Sequence, residues 1–404
     1  GAGAALVSDA KKCPENLPAV CVSDTRIGLG ELAKAWRTSH AIPLALVTGS
    51  NGKTTVKEMI ASIFRAAAGE AHTLVTKGNL NNEIGLPLTL LRLRSTDALA
   101  VIELGMNHPG ETAQLASIAQ ANIALINNAQ REHQEFMQTV AAVAEEHADV
   151  IRALPKDGVA VFPADSEFSE MWKAAAAGRK VIDFALTTSH SNSDVVVSGY
   201  QLPDRKVLVQ AGTHSIEIQL NTLGSHNVRN ALAASAVALA AGISLEKIKQ
   251  GLEAFTPVNG RMQVKFSDSK YTLIDDSYNA NPDSVKAAID LLAELPKPQI
   301  LVLGDMGEVG DDGPEFHREV GLYAQHKNID TVLCLGELTM HTVQACGACA
   351  QHFADIDTLN LQLRHLLPKS ASVLVKGSRF MKMERVLDAI ANQSEQHTQE
   401  TTPC

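Results

Sequence analysis

The sequence is poor in the features that mark nucleic-acid binding, membrane spanning or a disulfide scaffold. No basic run offsets a formal net charge of -10, set by 45 acidic against 35 basic residues, which excludes nucleic acid as the expected partner. No apolar stretch approaches the ~20 residues that a membrane helix needs. The most apolar one, around Leu232 to Ile243, is half alanine. Six cysteines (Cys13, Cys21, Cys334, Cys346, Cys349 and Cys404) form no spaced framework, which points to a reducing, cytoplasmic setting. Cys346 and Cys349 make a lone C-x-x-C with His352 behind it. A zinc site needs a second ligand pair, so this spacing reads as incidental. The chain opens at Gly1 with neither an initiator methionine nor a basic-then-apolar leader. No signal peptide is therefore read, and a trimmed N-terminus is expected. No internal repeat is visible.

What is present is ordinary globular material: 45% hydrophobic and 20% charged residues in 404. At ~150 residues per domain the length suggests two or three domains. Short Val, Ile and Leu runs alternate with segments of helical period. The runs are Leu44–Thr48, Ala98–Glu103, Ile123–Asn127, Thr272–Asp276, Ile300–Gly304, Thr331–Leu335 and Ser372–Lys376. Such alternation predicts an α/β fold with mostly parallel sheets. Between Val181 and Leu220 the texture changes to three short strands, Asp194–Ser198, Lys206–Gln210 and Ser215–Leu220, which predict a small antiparallel insertion. A helix over Asn230 to Ala241 should stop at Gly242. Phe255 to Gly260 reads as a linker, and the polar segment from Gln393 to Cys404 as a disordered tail.

The strongest local signal is Leu44-Ala-Leu-Val-Thr-Gly-Ser-Asn-Gly-Lys-Thr-Thr-Val56. An apolar strand enters a glycine-bracketed turn, and a helix follows with Val56, Met59, Ile60, Ile63, Phe64 and Ala67 on one face and Gly69 as its stop. That context makes Thr48, Gly49, Ser50, Asn51, Gly52, Lys53, Thr54 and Thr55 a phosphate-binding loop. Backbone N–H groups and the helix N-terminus would cradle phosphates, Lys53 would pair with the β and γ groups, and Thr54 would ligate Mg²⁺. The loop is G-x-x-G-K-T-T, shorter than the usual pattern, with Val47 where a glycine is customary. Glu103 ends a strand from which a carboxylate can reach a metal at such a loop.

Eight further segments follow in order. They are Gly78-Asn-Leu-Asn-Asn-Glu-Ile-Gly-Leu-Pro87, Ile102-Glu-Leu-Gly-Met-Asn107, Asn127-Asn-Ala-Gln-Arg-Glu-His133, Gly224-Ser-His-Asn-Val-Arg-Asn-Ala231, Pro257-Val-Asn-Gly-Arg-Met262, Asp275-Asp-Ser-Tyr-Asn-Ala-Asn-Pro282, Gly304-Asp-Met-Gly307 and Lys376-Gly-Ser-Arg379. Together with the loop they resemble the Mur ligases from about Val22 to about Ala391. Within that family they are most like the members that join D-alanyl-D-alanine to UDP-N-acetylmuramoyl-tripeptide.

The resemblance implies a central P-loop domain with a mostly parallel sheet and a small antiparallel insertion, followed by a C-terminal Rossmann-like α/β domain. The corresponding bounds are a remnant of an N-terminal UDP-substrate domain over 1–40, the ATP-binding domain over 41–256, the ligase domain over 257–392 and the tail over 393–404. It implies ATP and Mg²⁺ as cofactors and a monomer with no membrane insertion. Lys53, Glu103 and His133 become catalytic candidates, with Thr54, Glu103 and His133 on the metal. Asn230 is implied at the adenine, Arg261 at the ATP phosphates and Asp276 at the ribose, acting when the domains close. Asn79, Asn82, Asn279, Asn281, Lys376 and Arg379 are implied on the substrate side. Sister ligases of the same architecture, folylpolyglutamate synthetase-like enzymes and a non-catalytic nucleotide-binding fragment are the rival readings.

One departure stands out. Many Mur ligases carry a carbamylated lysine 14 or 15 residues after the metal-binding histidine, but no lysine occurs between Gln134 and Arg152. Glu145, Glu146 or His147 are the available substitutes, with the two glutamates expected on a solvated helix face.

Overall fold

The computed structural model describes residues 3–188, 195–267, 271–367 and 372–391. It divides into two compact units. The first comprises 1–130, 140–220 and 228–255, and the second 131–139, 221–227 and 256–404.

The first unit opens with a pair of short parallel strands, β1 (Ala5–Val7) and β2 (Ala19–Cys21), and helix α1 (Thr25–Thr38). Asp24 starts α1 by accepting the N–H groups of Arg26 and Ile27, the usual way to satisfy orphan donors at a helix start. Six parallel strands then build the main sheet: β3 (Leu44–Thr48), β4 (Thr73–Val75), β5 (Leu99–Glu103), β6 (Ile123–Ile126), β7 (Val159–Val161) and β8 (Lys180–Val181). Their spatial order is β4-β5-β3-β6-β7-β8. Helices α2 (Lys53–Ala68), α3 (Gly85–Leu90) and α4 (Glu111–Ala119) come in the first half of this series. The short α5 (Gln134–Met137) belongs to the second unit, and α6 (Val140–Arg152) and α7 (Ser169–Ala176) return to the first.

Both faces of this sheet are covered, which is why its strands read as unbroken apolar runs. In β3, Ala45 and Val47 enter one core with Val56, Met59, Ile60, Ile63 and Phe64 of α2. Leu44 and Leu46 enter the opposite core with Ala33 of α1, Leu86 of α3, Leu115 of α4 and Trp172 of α7. The chain leaves β3 towards β4 and β5 on one side and towards β6 on the other. The carboxyl end of β3 is therefore a topological switch point, where open α/β sheets bind ligands.

The expected insertion is present as a four-stranded sheet in the order β12-β11-β10-β9, with β9 (Phe184–Leu186), β10 (Val197–Gln201), β11 (Lys206–Ala211) and β12 (His214–Gln219). Its last three strands are antiparallel, whereas β9 and β10 run parallel. Asp194, where the first of these strands was expected, lies outside the described residues. Helix α8 (Ser225–Ala240) starts a turn and a half earlier than its pattern suggested. Gly242 closes it at φ 77° while the Ile243 N–H returns to the Ala238 carbonyl, a Schellman end. Helix α9 (Leu245–Ala254) follows and crosses α2 at Gly251.

The second unit carries a six-stranded sheet in the order β13-β14-β18-β15-β16-β17. These are β13 (Gln263–Ser267), β14 (Thr272–Asp276), β15 (Gln299–Gly304), β16 (Thr331–Leu335), β17 (Ala350–Phe353) and β18 (Ser372–Lys376). Only β13 is antiparallel among these strands. Helices α10 (Pro282–Ala293), α11 (Gly313–His326), α12 (Thr339–Cys346) and α13 (Ile356–Leu366) complete the layers, with one core on each face.

Two expectations fail here. Cys346 and Cys349 are bonded as a disulfide at the end of α12, so their spacing is not incidental. Glu146 is not on a solvated face: it is 8% exposed on α6. Its carboxylate accepts the N–H groups of Gly110 and Thr112 at 2.9 to 3.0 Å, where α4 begins. A carboxylate at a helix N-terminus gains both from the orphan donors and from the helix dipole. Glu145 does stay exposed, paired with Arg152. The segment from Gln393 to Cys404 lies outside the described residues.

Candidate nucleotide site

The turn after β3 is shaped by two glycines with positive φ, Gly49 at 136° and Gly52 at 78°. A side chain at Gly49 would press on Asn127, and one at Gly52 would meet the amides of Asn127 and Asn230 at 2.8 Å. Both positions therefore need glycine for conformation and for space. The Lys53 ammonium folds back over the loop, donating to the Gly49 carbonyl at 2.5 Å and to the Ser50 carbonyl at 3.2 Å. Helix α2 starts at Lys53, so its first N–H groups lack intrahelical acceptors and face the turn. Thr55 lies in that first helical turn.

Beside the loop, Thr54 and Glu103 meet. The Thr54 hydroxyl donates to Glu103 Oε1 at 3.2 Å, and Asn81 Nδ2 donates to the same oxygen at 2.9 Å. Glu103 is 2% exposed, and its Oε2 is buried without a hydrogen-bond donor among the described residues. An orphaned carboxylate oxygen beside a hydroxyl suits a hard divalent cation with oxygen ligands. The Glu103 backbone is fixed in turn: its N–H donates to Thr76 Oγ1, and the Thr76 carbonyl accepts from Lys57 Nζ. Lys57 is 1% exposed, a buried ammonium that salt-bridges the neighbouring Glu58.

The other side of the loop is held by residues after β6. Asn128 pairs with the Asn51 backbone, Gln130 with Ser50 and the Asn51 side chain, and Asn127 with Asn230. Thr48 Oγ1 lies 3.0 Å from Nδ1 of His147, and both side chains are fully buried. His147 thus touches the phosphate loop.

The sequence candidates divide between the units. Thr48 to Thr55, Glu103 and Asn230 gather at the β3 switch point. Asn79 and Asn82 lie on the nearby loop, which reaches Glu103 through Asn81. Asn79 is exposed, while Asn82 Oδ1 caps the start of α3 by accepting the Gly85 N–H at 2.9 Å. Asn230 is 5% exposed and bound to Asn127, beneath the loop.

The remaining candidates belong to the second unit. Pairing of β14 with β18 sets Asp276 opposite Lys376, and the two form a buried ion pair. Asp276 also accepts the Met262 N–H, and Lys376 donates to the Asn279 carbonyl. The two side chains therefore hold each other in place across the β14–β18 pair. Asn281 caps α10 through a reciprocal pair with Ser284, and Asn279 is exposed. Arg261 stacks on the Tyr278 ring at 4.1 Å, with Arg379 on the same ring at 6.0 Å. Two guanidiniums on one aromatic ring make a local anion-attracting patch. His133 lies at φ 47°, with Nδ1 2.9 Å from Glu308 and Nε2 4.0 Å from Glu132. Among the described residues no three His, Cys, Asp or Glu side chains gather as a metal cluster.

Sequence reasoning missed Lys57, Thr76, Asn81, Asn127 and Asn128. The two adjacent asparagines at a strand end beside the loop were the available signal.

A phosphate loop at a parallel-sheet switch point, with a buried carboxylate beside its threonine that keeps one oxygen without a donor among the described residues, defines a nucleotide-dependent phosphoryl-transfer class of α/β protein. The chain belongs to the Mur ligase family. Residues 47–238 match the Mur ligase middle domain and 260–379 the Mur ligase glutamate ligase domain. It is 38% identical over 395 residues to the UDP-N-acetylmuramoyl-tripeptide–D-alanyl-D-alanine ligase of Escherichia coli strain K12, covering 96% of this chain and 85% of that one. The enzyme of the same description from Haemophilus influenzae is also 38% identical, with 95% and 84% covered. A crystal structure of MurF from Acinetobacter baumannii superposes with a TM-score of 0.87 at 32% identity, covering 95% of this chain and 83% of that one.

Proposed function

We infer that this chain is an ATP-dependent amide ligase joining D-alanyl-D-alanine to UDP-N-acetylmuramoyl-tripeptide in peptidoglycan precursor synthesis, in the cytoplasm. The likeness to the Escherichia coli relative supports the choice of both substrates. The observation that carries the chemistry is the buried oxygen of Glu103, without a donor among the described residues, beside Thr54 and the phosphate loop.

The reaction activates the terminal carboxylate of the tripeptide as an acyl phosphate, which the free amine of D-alanyl-D-alanine then attacks to leave an amide, ADP and phosphate. Lys53 releases the Gly49 and Ser50 carbonyls and turns its charge onto the transferring phosphoryl group. The N–H groups at the start of α2 hold the phosphate oxygens in fixed geometry, so no reorganisation is needed at the moment of transfer. Thr54 and Glu103 would hold Mg²⁺, which supplies charge neutralisation to the phosphates. His133 is the third candidate for metal ligation. Asn230 serves the adenine, Asp276 the ribose and Arg261 the phosphates. Asn79, Asn82, Asn279, Asn281, Lys376 and Arg379 serve the two substrates.

The test is a single reaction of protein, Mg-ATP, UDP-N-acetylmuramoyl-tripeptide and D-alanyl-D-alanine, read by mass for the pentapeptide product. The parent should form product and Lys53→Ala should form almost none. Product from the parent with single amino acids but not with the dipeptide would replace this reading with that of a sister ligase.

A further inference from the structure

The middle of the phosphate loop is held by two consecutive asparagines, Asn127 and Asn128. Asn51 and Asn128 form a closed pair. The Asn51 N–H donates to Asn128 Oδ1 at 2.8 Å, and Asn128 Nδ2 donates to the Asn51 carbonyl at 2.9 Å. Asn127 Nδ2 donates to that same carbonyl at 2.9 Å and to Asn230 Oδ1 at 2.9 Å. The Asn51 carbonyl therefore receives two donors, both from the segment after β6.

The consequence follows from the peptide plane. The 51–52 peptide is trans, so its C=O and N–H point in opposite directions. Pinning the Asn51 carbonyl to Asn127 and Asn128 turns the Gly52 N–H away from them. Gly52 at φ 78° has no Cβ to resist a flip of this peptide. A flipped carbonyl would present its negative end where phosphate oxygens are expected. Something outside the loop must choose the orientation, and the donors of Asn127 and Asn128 do so. The loop is a short G-x-x-G form with few residues of its own to fix it.

We propose that Asn127 and Asn128 are positioning residues that set the 51–52 peptide so that the Gly52 N–H faces the nucleotide phosphates. Asn128 is the more informative of the two, because it is partly exposed whereas Asn127 is buried against Asn230. The inference rests on the nucleotide-binding reading of the loop and not on the identity of the acceptor or amine.

The experiment measures ADP and adenosine affinities of the parent, Asn128→Ala and Asn128→Leu by competition against a fluorescent ADP analogue. Leucine keeps the same branched side-chain skeleton without the amide, so it gives a second, filled comparison if the alanine variant does not fold. Loss of the paired amide should weaken ADP by about tenfold to a hundredfold and leave adenosine, which has no phosphate, within about twofold. Equal weakening of ADP and adenosine, or unchanged ADP affinity, would overturn the proposal. Amide formation does not enter this readout, so a failed ligase assay and a failed clamp are separate results.

Discussion

Glu103 accepts the Thr54 hydroxyl through one carboxylate oxygen and keeps the other buried with no donor among the described residues. A carboxylate left half-satisfied at 2% exposure costs stability unless a ligand completes it. That relationship makes the site's first prediction.

Glu103→Gln should uncouple nucleotide binding from the metal. In the parent, ADP should bind more tightly with Mg²⁺ than with a chelator. In the variant the two affinities should agree within about twofold, with amide formation down by about a hundredfold or more. Calorimetric titration with and without chelator reads the first effect. A metal effect of parental size in the variant would remove Glu103 from the metal site.

The crossing of α9 over α2 should not tolerate a methyl group. A Cβ on Gly251 would lie 2.3 Å from the Ile63 Cα and 2.6 Å from its backbone nitrogen. Ser62 also donates to the Gly251 carbonyl at 2.7 Å, so the helices cannot separate without losing that bond. Gly251→Ala should destabilise by about 1–3 kcal/mol or more, visible as a drop of several degrees in melting temperature. An unchanged melting temperature would show that the two helices are not in backbone contact.

The carboxylate of Glu146 ties α6 to the start of α4. Glu146→Gln keeps the shape but turns one acceptor into a donor facing the N–H groups of Gly110 and Thr112. A cost of about 1–3 kcal/mol is expected, together with faster hydrogen exchange at those two amides. Parental exchange rates at both would refute the cap.

Acid should weaken the second unit through His317. Its ring is fully buried, Nε2 accepts the Met306 N–H at 3.0 Å, and Nδ1 donates to the Gly313 carbonyl at 2.7 Å. Both nitrogens are thus used by the neutral form. Burial holds its pKa below the ordinary value of 6.5, assisted by His341 and opposed by the hydrogen bond to Gly313 and by Asp305. The unfolded chain therefore takes up the proton first. Stability is complete above about pH 6.5 and falls as the pH drops through and below it, until the folded pKa is passed. Melting temperatures at pH 7.5 and 5.5 should show this loss, and His317→Gln should reduce it. An equal loss in the variant would assign the pH dependence to other groups.

The βα alternation, the bounds of most strands, the phosphate loop and the helix after it are legible in the residues alone. These are local matters: period, glycine placement and apolar runs act over a few residues. Thr272–Asp276 and Thr331–Leu335 are strands with the bounds expected of them. Leu44–Thr48 runs into its glycine turn as its composition requires. Tertiary structure decided which polar groups meet. Asn128 reaches Asn51 across 77 positions, Lys376 reaches Asp276 across 100, and Thr48 reaches His147 across 99. No periodicity encodes such partners. They follow from sheet order and register, which set β6 beside β3 and β18 beside β14. The same reason explains why Glu146 reads as surface on its own helix. Its burial is created by the N-terminus of α4, an element thirty-odd residues earlier in the chain.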